Sequence, residues 1–66
     1  MTIQLNGERA EFAAPLSIAA LLEHLKIDPR RVAVEHNLTV IRRHDYANVT
    51  IAENDQIEIV NFVGGG

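Results

Sequence analysis

Asp55-Gln56-Ile57-Glu58-Ile59-Val60-Asn61-Phe62 leads directly into Val63-Gly64-Gly65-Gly66, and the reading of this stretch organises the rest of the chain. Its first part is the best strand in the sequence. Alternation puts Ile57 and Ile59 on one face and Glu58, Val60 and Phe62 on the other. The three glycines behave differently, because residues without a Cβ pack against nothing and resist ordering. They suit a narrow, flexible tail that ends in an unhindered carboxylate. At roughly 3.3 Å per residue, Asn61 to Gly66 projects on the order of 20 Å, far enough to enter a deep cleft in a partner. The expected division is a folded body over residues 1–62 and a glycine tail over 63–66.

The body is small, and its elements follow from local signals. Ile3 and Leu5 alternate with Thr2 and Gln4, a half-buried strand. Asn6-Gly7 then marks a type I′ turn, which needs positive φ at both central residues. Glu8 to Phe12 returns antiparallel with Phe12 turned inward. Ala13-Ala14-Pro15 breaks this strand before a helix. Ser17 is its N-cap, and Leu16 and Leu21 hold the two staple positions. Ile18, Leu21, Leu22 and Leu25 recur at i, i+3, i+4 and i+7, one apolar stripe. Lys26 suits the negative end of the helix dipole, and Asp28-Pro29 is expected to end the element.

Val32 to His36 reads as a strand with Val34 in the core, and Asn37-Leu38 as a tight connection into a partner strand over Thr39 to Arg42. Tyr46 is expected to plug the core edge from an irregular or single-turn connection over Arg43 to Val49. In the turn Glu53-Asn54-Asp55, Asn54 tolerates the left-handed conformation. The order is ββαββ, a connector, then β. One helix stripe buried against several strands, with the chain passing over the helix so that first and last strands pair, is the ubiquitin-like β-grasp. Its class is α+β, a mixed sheet with one main helix packed across one face.

Composition narrows the functions open to the chain. It has 66 residues, a hydrophobic fraction of 47% and a mean hydropathy near zero, the profile of one ordinary globular domain. There is no cysteine, so neither a disulfide nor a thiolate metal site supports the core. A net charge of −3 argues against nucleic acid or an anionic membrane as partner. Met1 to Asn6 shows no secretory leader and no apolar run is long enough to span a membrane, so the expected location is the cytoplasm. His24, His36 and His44 share neither a helix face nor a ligand motif. They are read as surface titrators, with no metal site. Arg30, Arg31, Arg42 and Arg43 are read as a solvated edge offset by Asp28 and Asp45 rather than a phosphate patch.

Asn54 to Val60, with Phe62 to Gly66 behind it, resembles the sulfur carriers of bacterial thiamine thiazole synthesis, the ThiS family. Asn6-Gly7 after a short first strand, Ser17 opening a Leu-Leu helix, Val32-Ala33-Val34-Glu35 running into Asn37, and Arg43 with Tyr46 extend the likeness over the whole chain. Two positions depart from the family pattern. Glu53-Asn54-Asp55 stands where Asp-Gly-Asp is usual, and Tyr46 where tryptophan is frequent. The first keeps a residue that tolerates positive φ, and the second changes packing rather than chemistry.

The resemblance implies a carrier, not an enzyme. An adenylating partner, similar to the ubiquitin-activating enzymes, would use ATP and Mg²⁺ to convert the Gly66 carboxylate to an acyl-adenylate. A sulfur donor system would replace AMP to leave a thiocarboxylate, which thiazole synthase would consume. Gly64 and Gly65 would give the tail access to a slot where side chains collide. Glu58, Val60 and Phe62 would form the docking surface, with Ala33 and Glu35 on the same face. The free chain is expected to be a monomer that binds no cofactor itself. Rival readings are the small subunit of molybdopterin synthase, a ubiquitin-like protein modifier, and a plain interaction module with an idle tail.

Overall fold

The computed structural model describes residues 1–62. The reading of 63–66 as a tail, Gly64, Gly65 and Gly66 included, lies outside the described residues. Among the described residues, seven strands and one α-helix occur in the order β1 (Thr2–Leu5), β2 (Glu8–Glu11), β3 (Leu16–Ser17), α1 (Ile18–His24), β4 (Val32–His36), β5 (Thr39–Ile41), β6 (Thr50–Ile51) and β7 (Gln56–Asn61). Single 3₁₀ turns at Pro29–Arg31 and Arg43–Asp45 punctuate the connections.

Five strands form one sheet in the order β2-β1-β7-β4-β5. β1 and β7 run parallel, with Gln4 opposite Gln56 and Leu5 opposite Ile57, while the other neighbours are antiparallel. The parallel pair forces the intervening chain to cross over one face of the sheet, and α1 lies on that crossover. Ile18, Leu21 and Leu22 from the helix bury against Ile3, Val32, Val34 and Ile57 from the sheet, closed by Tyr46 and Ile51. The α+β β-grasp expected from the sequence is the observed fold.

Both two-residue hairpins owe their register to left-handed residues. Asn6 and Gly7 have φ of 51° and 80°, and Asn37 and Leu38 have 51° and 71°, the positive pairs of a type I′ turn. Leu38 has no special tolerance for this conformation. The flanking ladder between β4 and β5, with Val34 opposite Ile41, holds it there. Asn54 is left-handed as expected, at φ 69°.

Several expectations are corrected. The chain does not pass from Pro15 directly into a helix: Leu16–Ser17 first pairs with Thr50–Ile51 as a two-stranded sheet, too short to show a period. Ser17 is nonetheless the N-cap, its hydroxyl accepting from the Ala20 amide at 3.0 Å. The helix ends before Asp28-Pro29. Lys26 takes φ 60°, its amide donates to Glu23 O and the Ile27 amide to Leu22 O, which is a Schellman motif without glycine. Asp28 instead caps the first 3₁₀ turn, accepting from the Arg30 amide at 2.9 Å. β5 stops at Ile41, one residue short of the expected end.

Removal of the helix cap is diagnostic. Ser17→Ala should lower stability by about 1 kcal/mol and Ser17→Gly by only a few tenths, read as a shifted urea midpoint at constant slope.

Candidate functional site

β7 carries the residues singled out in the sequence, and its place decides their geometry. It is the middle strand, hydrogen-bonded to β1 on one side and β4 on the other. Where β1 ends, the Asn6 side chain takes over the ladder, its Oδ1 accepting from the Ile59 amide at 2.7 Å. On the other side pairing runs one residue past the strand, with the Phe62 amide donating to Arg31 O at 2.9 Å. The body therefore holds the chain firmly up to its last described residue.

The inward set is Ile57, fully buried, and Ile59, packed at the edge of the core. The outward set is Glu58, Val60 and Phe62, all exposed, as alternation requires. Opposite them on β4 stand Glu35, the Cα partner of Glu58, and Ala33, the partner of Val60. Val40 on β5 faces Glu35 from the far side. Phe62 borders a surface concavity of about 330 Å³ together with Val32, Ala33, Val40 and Ile41. A larger concavity of about 600 Å³ lies along the helix between Leu22, Lys26, Pro29 and His44. It includes none of Glu58, Val60 and Phe62, whereas the smaller one includes Phe62 and so borders the site.

Val40 escaped the sequence reading. The signal was present: a two-residue turn at Asn37-Leu38 sets Val40 opposite Glu35, hence on the face of Val60. Leu38, Val40, Val60 and Phe62 are the exposed large apolar side chains among the described residues, and three of them share this face.

The polar residues sort themselves by partner. Arg30 binds Asp28 through Nε at 3.1 Å and a terminal nitrogen at 3.0 Å, and Arg31 lies 3.8 Å from the same carboxylate. Hydrogen bonds from the Arg30 side chain and amide pull the Asp28 carboxyl down to about 2. The expected edge of four arginines offset by Asp28 and Asp45 is reduced to Arg30 and Arg31 on Asp28: among the described residues Arg42 and Arg43 form no ion pair, and Asp45 lies beside His44. The histidines are not alike. His24 packs edge-on against Phe12 with centroids 5.4 Å apart, and His44 lies 3.5 Å from Asp45. His36 is not a surface side chain: it is 19% exposed and Nε2 donates to Asp55 Oδ2 at 2.6 Å. Among the described residues, no three metal-binding side chains are grouped to hold an ion.

Asp55 also accepts from the Ala52 amide at 2.8 Å and Asn37 Nδ2 at 3.1 Å, while Asn37 Oδ1 accepts from the Gln56 amide. This network ties the β4–β5 turn to the start of β7 and so fixes the strand that presents the site. Burial acts to raise the Asp55 carboxyl, but the Ala52 amide, His36 and Asn37 outweigh it, leaving the group below the ordinary carboxylate range.

A central last strand paired parallel with the first, in a mixed sheet crossed by one helix, defines a ubiquitin-like β-grasp protein. The ThiS family model matches residues 3–66, and the chain belongs to that family. Over 65 residues it is 37% identical to the sulfur carrier protein ThiS of Bacillus subtilis, covering 97% of this chain and 98% of that protein. The crystal structure of the thiamine biosynthesis protein ThiS from Geobacter metallireducens superposes with a TM-score of 0.88 at 32% identity, each chain covered completely. A thiazole synthase of Paramagnetospirillum magneticum is 44% identical over all 66 residues, and this chain spans 20% of its length. No helix among the described residues is long and apolar enough to cross a membrane.

The folded Asp55 carboxyl titrates below its unfolded counterpart, so its stabilisation is complete above about pH 4 and drains away as pH falls through the folded value. Asp55→Asn should cost about 2 kcal/mol at pH 7. The gap to the unaltered chain should narrow steadily below about pH 4 in urea titrations across pH.

Proposed function

We propose that this chain is a sulfur carrier for thiamine thiazole formation, a co-substrate and not a catalyst, working in the cytoplasm. One observation carries the reading: in a ThiS-family fold, a strand anchored on both sides feeds a terminus made of Gly64, Gly65 and Gly66. Family membership supports this reading over the molybdopterin synthase subunit and the protein modifier.

The chemistry divides between chain and partners. A carboxylate is a poor electrophile until one oxygen becomes a good leaving group. An adenylating enzyme supplies it: the Gly66 carboxylate attacks the α-phosphorus of Mg²⁺-bound ATP and pyrophosphate departs. The terminal sulfur of a donor persulfide then attacks the acyl carbon and AMP leaves. A second thiol reduces the resulting S–S bond and frees the thiocarboxylate, which gives its sulfur to thiazole synthase. Glycine at position 66 leaves the carbonyl open on both sides, and Gly64 and Gly65 let the tail thread a narrow slot. Glu58, Val60 and Phe62, with Ala33 and Val40 beside them, form the docking surface that brings the acyl end into register.

Intact-mass analysis tests the reading. After incubation with the adenylating enzyme, Mg-ATP and a persulfide donor, the chain ending at Gly66 should exchange one oxygen for sulfur, and a Gly66-deleted chain should not. Gly65→Val should fold normally but slow the exchange at least tenfold, since a β-branched side chain obstructs the slot. An unaltered chain that gains no sulfur would rule the reading out.

A further inference from the structure

The outer face of the sheet holds two carboxylates where the isolated domain gains nothing from them. Glu35 and Glu58 are direct cross-strand partners. Opposed positions on antiparallel strands bring Cβ atoms to about 4.5–5.5 Å, and like charges there oppose folding. Neither glutamate has an ion-pair partner or a side-chain hydrogen bond among the described residues. Arg42 follows β5 beyond Val40 and Ile41, yet it does not come within ion-pair distance of either. The pair is also flanked by apolar side chains: Val40 is 66% exposed, Val60 59% and Phe62 55%.

Each half of this arrangement is unfavourable in water, and together they describe a complement. Exposed apolar side chains gathered on one face mark a contact surface. Two carboxylates within that surface would be desolvated without compensation by any neutral partner. An arginine resolves both problems. Its guanidinium stays charged, carries five donors in a plane and bridges two carboxylates spaced as cross-strand neighbours are. Its aliphatic stem lies along apolar neighbours such as Val40 and Val60. A lysine offers a single, more strongly hydrated point charge and fits less well.

We infer that the sheet face docks thiazole synthase through an arginine of that enzyme, seated between Glu35 and Glu58 within the apolar rim of Val40, Val60 and Phe62. The inference rests on the docking role proposed above. The choice of thiazole synthase rests on a relative of that name which contains a counterpart of this whole chain within a larger body, and the choice of arginine on charge complementarity to the two glutamates. The glutamates then weaken the free domain slightly and strengthen the complex, a pairing of opposite effects that a merely structural residue does not produce.

Calorimetric titration of the full chain into thiazole synthase, at low salt and at about 0.5 M salt, tests this. Glu35→Gln and Glu58→Gln should each weaken binding about tenfold at low salt, with a smaller loss at high salt. The unfolding midpoint of free Glu58→Gln should rise by roughly 2–4 °C, which separates lost affinity from lost folding. Val60→Ser probes the face itself. If Val60→Ser weakens binding and both glutamine variants stay within twofold of the unaltered chain, the arginine seat is wrong and the docking face stands. If all three variants bind like the unaltered chain, both ideas fall. Absence of binding by the unaltered chain, or a midpoint that drops in Glu58→Gln, overturns the inference as well.

Discussion

The parallel contact of Leu5 with Ile57 is the constraint on which the other arrangements hang. It joins the first strand to the last, and two parallel neighbours cannot be linked by a tight turn. The chain between them must leave the sheet, cross one face and return. Helix α1 makes that crossing, and its stripe of Ile18, Leu21 and Leu22 turns an otherwise open sheet into a closed core. Without this pairing, β7 would be an edge, and the residues after Asn61 would leave from a frayed strand.

A central position gives β7 something an edge strand lacks. Its backbone is engaged on both sides as far as the Ile59 amide, by strand partners and by the Asn6 side chain, and on the β4 side up to the bond between Phe62 and Arg31. The orientation of Glu58, Val60 and Phe62 relative to the chain exit is therefore set by the sheet and not by a loop. For the carrier role proposed here, that rigidity fixes the point at which the chain leaves the body relative to a docked surface. Positioning of this kind is how a partner's active site gains effective concentration of a carboxylate.

The polar side chains divide into those that hold the body together and those left unsatisfied. Asp55 gathers His36, Asn37 and the Ala52 amide into one network, and Asp28 gathers Arg30 and Arg31. Glu35 and Glu58 gather nothing, although they stand side by side. The half-buried Asp28, Asp45 and Asp55 all have partners, whereas the half-buried Glu35 and the exposed Glu58 beside it have none among the described residues. That contrast is the clearest sign that the face is shaped by something other than the stability of the free domain.

Elements whose causes are local could be read from the chain alone. Asn6-Gly7, Ser17, Asn54 and the alternation of Ile57 to Phe62 act through backbone conformations and periods that neighbouring residues impose, and each stands where the sequence put it. The outward set of β7 was legible for the same reason. Tertiary structure decided what depends on partners distant in sequence. Leu16–Ser17 becomes a strand only because Thr50–Ile51 arrives beside it. Lys26 ends the helix early because the buried stripe fixes where the chain must turn. His36 leaves the surface because Asp55 lies 2.6 Å away across the sheet. Above all, the row Val40-Glu35-Glu58 exists only through the register of three strands. The turn at Asn37-Leu38 sets Val40 opposite Glu35 locally, but a one-residue slip between β4 and β7 would take Glu58 to the opposite face, so the adjacency of Glu35 and Glu58 is a tertiary decision.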